Sequence, residues 1–145
     1  MIPEILIQRL DPELPLPRYA RPGDAGADLY ARIDIEIPGG ARALVPTGVA
    51  IALPVGYVAL VTPRSGFSLN QGGTLLNSPG VIDAGYRGEI GCIVHNTNPD
   101  ALRIARGDRI AQLLVMPIPE VQLTEVESLP GSQRADGGFG STGKA

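Results

Sequence analysis

The chain has 145 residues, 43% of them hydrophobic and 19% charged, with a formal net charge of −3. That length builds one domain with its own core and is cramped for two, and the charge balance leaves no cationic field for gripping a phosphate polymer, which excludes a nucleic-acid reader. Cys92 and His95 are each the single residue of their kind, so an intrachain disulfide and a Cys/His zinc site are excluded, and zinc-dependent nucleobase deamination with them.

The opening segment, Met1-Ile-Pro-Glu-Ile-Leu-Ile-Gln-Arg9, is too charged and too short in its apolar run for a signal peptide, and no later stretch is apolar enough to span a bilayer. A cytosolic protein with no membrane partner is expected. Fourteen prolines and nineteen glycines are spread over the length; an interior proline costs a helix about 3 kcal/mol, so long helices are excluded. Short β-branched runs lie between these breakers: Val49–Leu53, Tyr57–Val61, Ile90–Val94, Ile110–Met116 and Val121–Val126. They predict strands of an all-β sandwich, barrel or jelly roll. Cys92 in the third run reads as a small hydrophobe of a strand, and His95 as structural or exposed.

One short helix is expected over Ser65–Asn70, with Ser65 as its N-cap after Pro63-Arg64. Its free N–H groups beside Arg64 and a hydroxyl form a ready anion site. From Asn77 to Ile90 the sequence reads Asn-Ser-Pro-Gly-Val-Ile-Asp-Ala-Gly-Tyr-Arg-Gly-Glu-Ile, which predicts a glycine-punctuated hairpin. Pro79 presets φ, while Gly85 and Gly88 keep the returning arm free of bulk, so a ligand can lie against bare backbone. Val81 and Ile82 anchor the arm, and Asp83 and Tyr86 are aimed at whatever occupies it. The structural alternative is an ordinary turn with a capping Asp.

From Ser128 onward almost nothing can enter a core, which predicts a flexible arm over 128–145 after a β domain of 1–127. Gly138–Gly143 fits G-x-G-x-x-G, and 138–144 fits a Walker A pattern up to Lys144, with Ala145 standing where Ser or Thr is required. Both fail on context, because no helix follows. The backbone with Ser141 and Thr142 still offers many donors to a phosphate, and Phe139 is an unusual aromatic in such a tail.

Five segments stand out: Ala25-Gly-Ala-Asp28-Leu-Tyr-Ala31, Pro63-Arg64-Ser65-Gly66, Asn77–Ile90, Gly107-Asp-Arg-Ile-Ala-Gln112-Leu-Leu, and Arg134–Gly143. In order and spacing they resemble the five motifs of the trimeric dUTP diphosphatases (dUTPases), from Asp24 to the C-terminus. The resemblance implies an all-β, jelly-roll-like (β-clip) subunit with a Gly-rich C-terminal arm, in a homotrimer whose sites are shared between subunits. It implies Mg²⁺-assisted hydrolysis of dUTP to dUMP and pyrophosphate by water attack on the α-phosphorus, limiting uracil incorporation into DNA and supplying dUMP for thymidylate synthesis. Asp83 matches the general base that activates the water, a task suited to a carboxylate ionised at neutral pH. Tyr86 matches the ring that packs on the deoxyribose and excludes a 2′-hydroxyl. Asn77 and the backbone around Val81, Ile82 and Gly91 match the uracil-reading surface, although some relatives carry a larger side chain where Gly91 stands. Arg64, Ser65 and Gly66 match the phosphate motif, with Gln112 and Asp28 organising waters and phosphates around a Mg²⁺ held mainly by the triphosphate. Arg134 matches the γ-phosphate contact, Phe139 the cover over uracil, and Gly140, Ser141 and Thr142 the donors of the arm.

Two other readings remain beside this one. A dCTP deaminase-related enzyme shares the Arg-Ser segment and the Ile-Asp-x-Gly element, but it usually carries Trp at the position of Tyr86. It also carries a catalytic Glu at the position of Ile93. A non-catalytic nucleotide sensor on the same scaffold would not need Asp83, Tyr86, Arg64, Ser65 and the arm together.

Overall fold

The computed structural model describes residues 2–143; Lys144 and Ala145, which end the Walker-like pattern, lie outside the described residues. Eleven strands are present: β1 (Leu6–Arg9), β2 (Ala27–Tyr30), β3 (Ile35–Ile37), β4 (Arg42–Pro46), β5 (Val49–Ala52), β6 (Tyr57–Pro63), β7 (Gly73–Leu75), β8 (Gly80–Ile82), β9 (Gly91–Asn96), β10 (Leu102–Ile104) and β11 (Arg109–Pro117). The single helix among the described residues, α1 (Ser65–Gln71), falls between β6 and β7. The protein is thus mostly β, and no described helix is long and apolar enough to cross a membrane.

All pairings are antiparallel. The largest sheet runs β2-β11-β6-β8; a second runs β4-β9-β7, and β1-β5 and β10-β3 form two-stranded ribbons. Strand length follows the breakers, and side choice follows the period of two. On β9, Cys92, Val94 and Asn96 are buried while Gly91, Ile93 and His95 are not. Leu29, Ile37, Val45, Ile90, Val94 and Ile110 are fully buried and hold one core together, each such side chain contributing about 1.5–3 kcal/mol. Asn96 is buried without cost in unpaired groups: its Nδ2 donates to the carbonyls of Ile37 (3.0 Å) and Asp100 (2.8 Å), and its Oδ1 accepts from Asn98 N (2.9 Å). It fastens β9 to the β10-β3 ribbon.

Three expectations are corrected. Val121–Val126 forms no strand; its apolar residues stand exposed, because alternation makes a strand only where a free edge accepts it. Ser65 is the first helical residue and Arg64 is the N-cap, in extended backbone and with no side-chain cap bond. The Arg64 carbonyl accepts from Ser68 N (3.0 Å), which starts the helix one residue earlier than a hydroxyl cap predicts. The Asn77–Ile90 segment is not a paired hairpin: β8 pairs with β6 in one sheet, and β9 pairs with β4 and β7 in the other. Turn residues set the bend, but β8 found a longer neighbour, so the 83–90 loop crosses between sheets.

Candidate active site

β8 carries Ile82 inward and Val81 outward, which leaves the Val81 backbone beside a cleft. That cleft, about 160 Å³, is lined by Asn77, Gly80, Val81, Ile82, Tyr86 and Gly91, with Glu89 and Cys92 among the other walls. Its size admits a single base-like ring, well short of the volume a whole drug-sized ligand takes. Asp83 follows β8 directly and is exposed, and its carbonyl accepts from Tyr86 N (3.1 Å). The Tyr86 hydroxyl donates to the Glu89 carbonyl (3.0 Å). Gly88 is what lets the ring fold back: a Cβ there would meet Tyr86 Oη at 2.5 Å. Cys92, wholly enclosed, has its thiol pushed up to about 12 by burial, so it stays a neutral wall and no nucleophile. Gly91 packs against Leu44, whose Cδ1 a Cβ would meet at 2.7 Å, which fits the expectation that only backbone is offered there.

A second, polar pocket of about 560 Å³ is lined by Asp28, Arg64, Ser65, Gly66 and Gln112, and also by Arg21, Asp24 and Arg109. Here β2, the β6–α1 junction and β11 converge. Arg64 Nε pairs with Asp28 Oδ1 at 2.9 Å, and Arg109 Nη1 lies 3.5 Å from Asp28 Oδ2. Gln112 stands opposite Asp28 in the ladder and donates through Nε2 to the Pro63 carbonyl (3.3 Å). The guanidinium forks, the helix start and the amide suit a polyphosphate. Arg21, Asp24 and Arg109 were missed from sequence; Arg109 lies within the Gly107–Gln112 motif, but strict alternation sets it on the face opposite Gln112, and only the irregularity in the β2–β11 ladder between Arg109 and Ala111 brings both to this pocket.

The two pockets share no lining residue among those described. The arm joins neither: Phe139 is fully exposed, Arg134 Nε donates to the Gly137 carbonyl (2.6 Å), and Gly140, Ser141 and Thr142 lie in exposed turns. Among the described residues, no three His, Cys, Asp or Glu side chains are grouped to hold a metal ion.

A β scaffold presenting a base-sized cleft and a separate arginine-rich pocket defines a protein built for a nucleotide. A family model described as dUTPase matches residues 12–143. A deoxyuridine 5′-triphosphate nucleotidohydrolase of Streptomyces coelicolor is 57% identical over 141 residues, which cover 97% of this chain and 77% of that protein. Among solved structures, a mutant dUTPase of Staphylococcus bacteriophage 80alpha with dUpNHpp superposes with a TM-score of 0.90 at 28% identity, covering 97% of this chain and 99% of that one. A mutant dUTPase from phage phi11 of S. aureus, described with a coordinated structural Mg(II) ion, gives 0.80 at 26% identity over 88% and 99% of the two chains. The chain belongs to the dUTPase family.

Proposed function

We propose that this chain hydrolyses dUTP to dUMP and pyrophosphate, a reaction of nucleotide metabolism, with sites assembled between three copies. The observation that carries the activity is the 57% identity to a deoxyuridine 5′-triphosphate nucleotidohydrolase over 97% of this chain. The base cleft and the phosphate-type pocket supply the matching chemistry. Uracil enters the cleft and is read by Asn77 and by the backbone of Val81, Ile82 and Gly91. A cytosine would present a donor where uracil presents an acceptor, leaving buried groups unpaired, which discriminates strongly. The Tyr86 ring covers the sugar and leaves no room for a 2′-hydroxyl. Asp83, exposed and next in the chain to Ile82 of the cleft wall, orients a water on the α-phosphorus and takes its proton. Arg64, Ser65, Gly66 and Gln112 hold the phosphates, Arg134 the γ end, and the Gly140-Ser141-Thr142 backbone closes with Phe139 over the base.

Asp28 already has both oxygens engaged by Arg64 and Arg109, which fits a water-mediated role toward Mg²⁺ and a cation held mainly by the triphosphate. Bound there, the cation would neutralise phosphoryl charge and fix the chain's conformation. The separation of the two pockets, the exposed apolar residues of 118–129 and the free arm support a homotrimer of jelly-roll-like (β-clip) subunits over a single-chain site. A protein whose one cysteine is buried and unpaired suits a reducing cytoplasm.

The test is turnover with Mg²⁺ of dUTP, dCTP, dTTP and UTP in parallel, products resolved by ion exchange. dUMP and pyrophosphate from dUTP alone is the expected result; deamination of dCTP, or binding of dUTP without turnover, overturns it. Asp83→Asn should keep dUTP affinity within about threefold while kcat falls at least about a hundredfold. Loss of binding together with kcat identifies a structural Asp.

A further inference from the structure

The 83–90 loop is held by an ion-pair network that runs from Glu89, within the Asn77–Ile90 motif, to Arg32, Asp11 and Arg106 outside the five motifs. Arg32 lies two residues past β2, the strand that brings Asp28 to the phosphate-type pocket. Its Nη1 pairs with Glu89 Oε1 at 2.5 Å, and Glu89 is the residue whose carbonyl accepts the Tyr86 hydroxyl. Arg32 is itself fixed from every side. Its N donates to the Pro46 carbonyl (2.8 Å), its Nη2 donates to the Leu10 carbonyl (3.2 Å), and its Nε lies 3.5 Å from Asp11 Oδ2. Arg106 closes the far side, pairing with Asp11 and donating from Nη1 to the Arg32 carbonyl (2.7 Å). On the other flank of Glu89, Ile90 is pinned by Ile90 N to the Val49 carbonyl (2.8 Å) and by Thr47 Oγ1 to the Ile90 carbonyl (2.6 Å). Glu89 is therefore gripped through its side chain and its C-terminal neighbour. Without Arg32, this half-buried carboxylate has no cation beside it and turns to water; the 89–90 peptide stays tied to Val49, so the play appears at the Glu89 Cα and along the turn that leads back to Tyr86, and the hydroxyl bond no longer holds the ring at one angle.

We propose that Arg32 is a positioning residue for sugar selection: through Glu89 it fixes the Tyr86 ring against the place a 2′-hydroxyl would occupy. The inference rests on the dUTP reading above. Exclusion by a ring is a steric test, and a wall displaced by an ångström no longer applies it. Arg32 touches neither base, sugar nor phosphate in this arrangement, and β2 joins it within four residues to Asp28, so one short segment serves both pockets.

Arg32→Gln, Glu89→Ala and the conservative Arg32→Lys are assayed with dUTP and UTP beside the unmodified protein, with thermal melts of each. The first two should lower the dUTP-over-UTP ratio of kcat/KM at least about tenfold, mainly through KM for dUTP and gained turnover of UTP, and Arg32→Lys should restore most of it. Should Arg32→Gln fail to fold, Glu89→Ala removes the same contact from the loop side and reads the same ratio. On a Tyr86→Phe background, which lacks the hydroxyl bond to Glu89, adding Arg32→Gln should change the ratio no further. An unchanged ratio, equal losses for both substrates, or multiplying effects of Tyr86→Phe and Arg32→Gln overturns the proposal. Absence of dUTP turnover in the unmodified protein overturns the activity reading along with it, whereas an unchanged ratio in an active protein overturns this inference alone.

Discussion

Asp11 sits between two guanidinia in the network that anchors Arg32. The hydrogen bond from Arg106 is the main cause that lowers its carboxyl from 3.8 to about 2, helped by the Glu13 backbone and by the charges of Arg106 and Arg32, against the opposing effect of burial. A carboxylate whose folded pKa is depressed stabilises the folded state above its unfolded pKa, and that contribution is lost as pH falls toward the folded value. The window is therefore pH 4 to 2. Asp11→Asn should lower the thermal midpoint at neutral pH and flatten its fall between pH 4 and pH 2, as followed by circular dichroism. An unchanged acid limb would mean that another carboxylate controls it. None of this was legible in the sequence, since Asp11 and Arg106 are 95 residues apart and Arg32 and Glu89 are 57 apart. Asp83, Tyr86 and Arg64 stood out because glycine and proline mark the turns beside them, whereas Gln112, inside β11, stood out only through the resemblance.

At the scale of elements, the β2–β11 pair decides how well the phosphate-type pocket is formed. A Cβ on Gly26 would come within 3.0 Å of Gln112 Cδ and 3.1 Å of its Cβ. The amide tip can swing away, but Gln112 Cβ is fixed by the ladder opposite Asp28. Gly26→Ala should therefore push the amide off the Pro63 carbonyl. The cost in stability should be about 1–2 kcal/mol, in the range of overpacking, while kcat/KM falls at least about tenfold; a urea melt with steady-state kinetics separates the two. Equal activity would mean that Gln112 re-aims freely. Reading β-branched runs between proline and glycine breakers located β5, β6, β9 and β11 to within two residues. It failed at Val121–Val126, as turn chemistry did at the expected hairpin, because neither a run nor a turn specifies which edge will accept the strand. It also left the helix cap to local chemistry, where Arg64, drawn into its pair with Asp28, took the position a hydroxyl was expected to hold.

For the whole molecule, the proposed trimer raises the question of which copy closes over which site. Residues 118–129 keep Val121 at 69%, Leu123 at 93% and Leu129 at 84% exposure, far more apolar surface than a short connection needs, and this is surface that a neighbouring copy covers in the proposed trimer. Cutting the chain before Arg134 should leave that segment and the trimer intact while removing most activity, by size-exclusion chromatography with light scattering and a turnover assay. Monomers after truncation would count against the shared arm. The stricter test mixes two inactive proteins, Asp83→Asn with an intact arm and the truncated chain with an intact Asp83. If arm and Asp83 at one site come from different copies, subunit exchange at equal amounts places both intact parts together at about a quarter of the sites, and activity returns to that level. If each arm closes over its own copy's Asp83, every site in every mixed trimer keeps one defect, and no activity returns at any ratio.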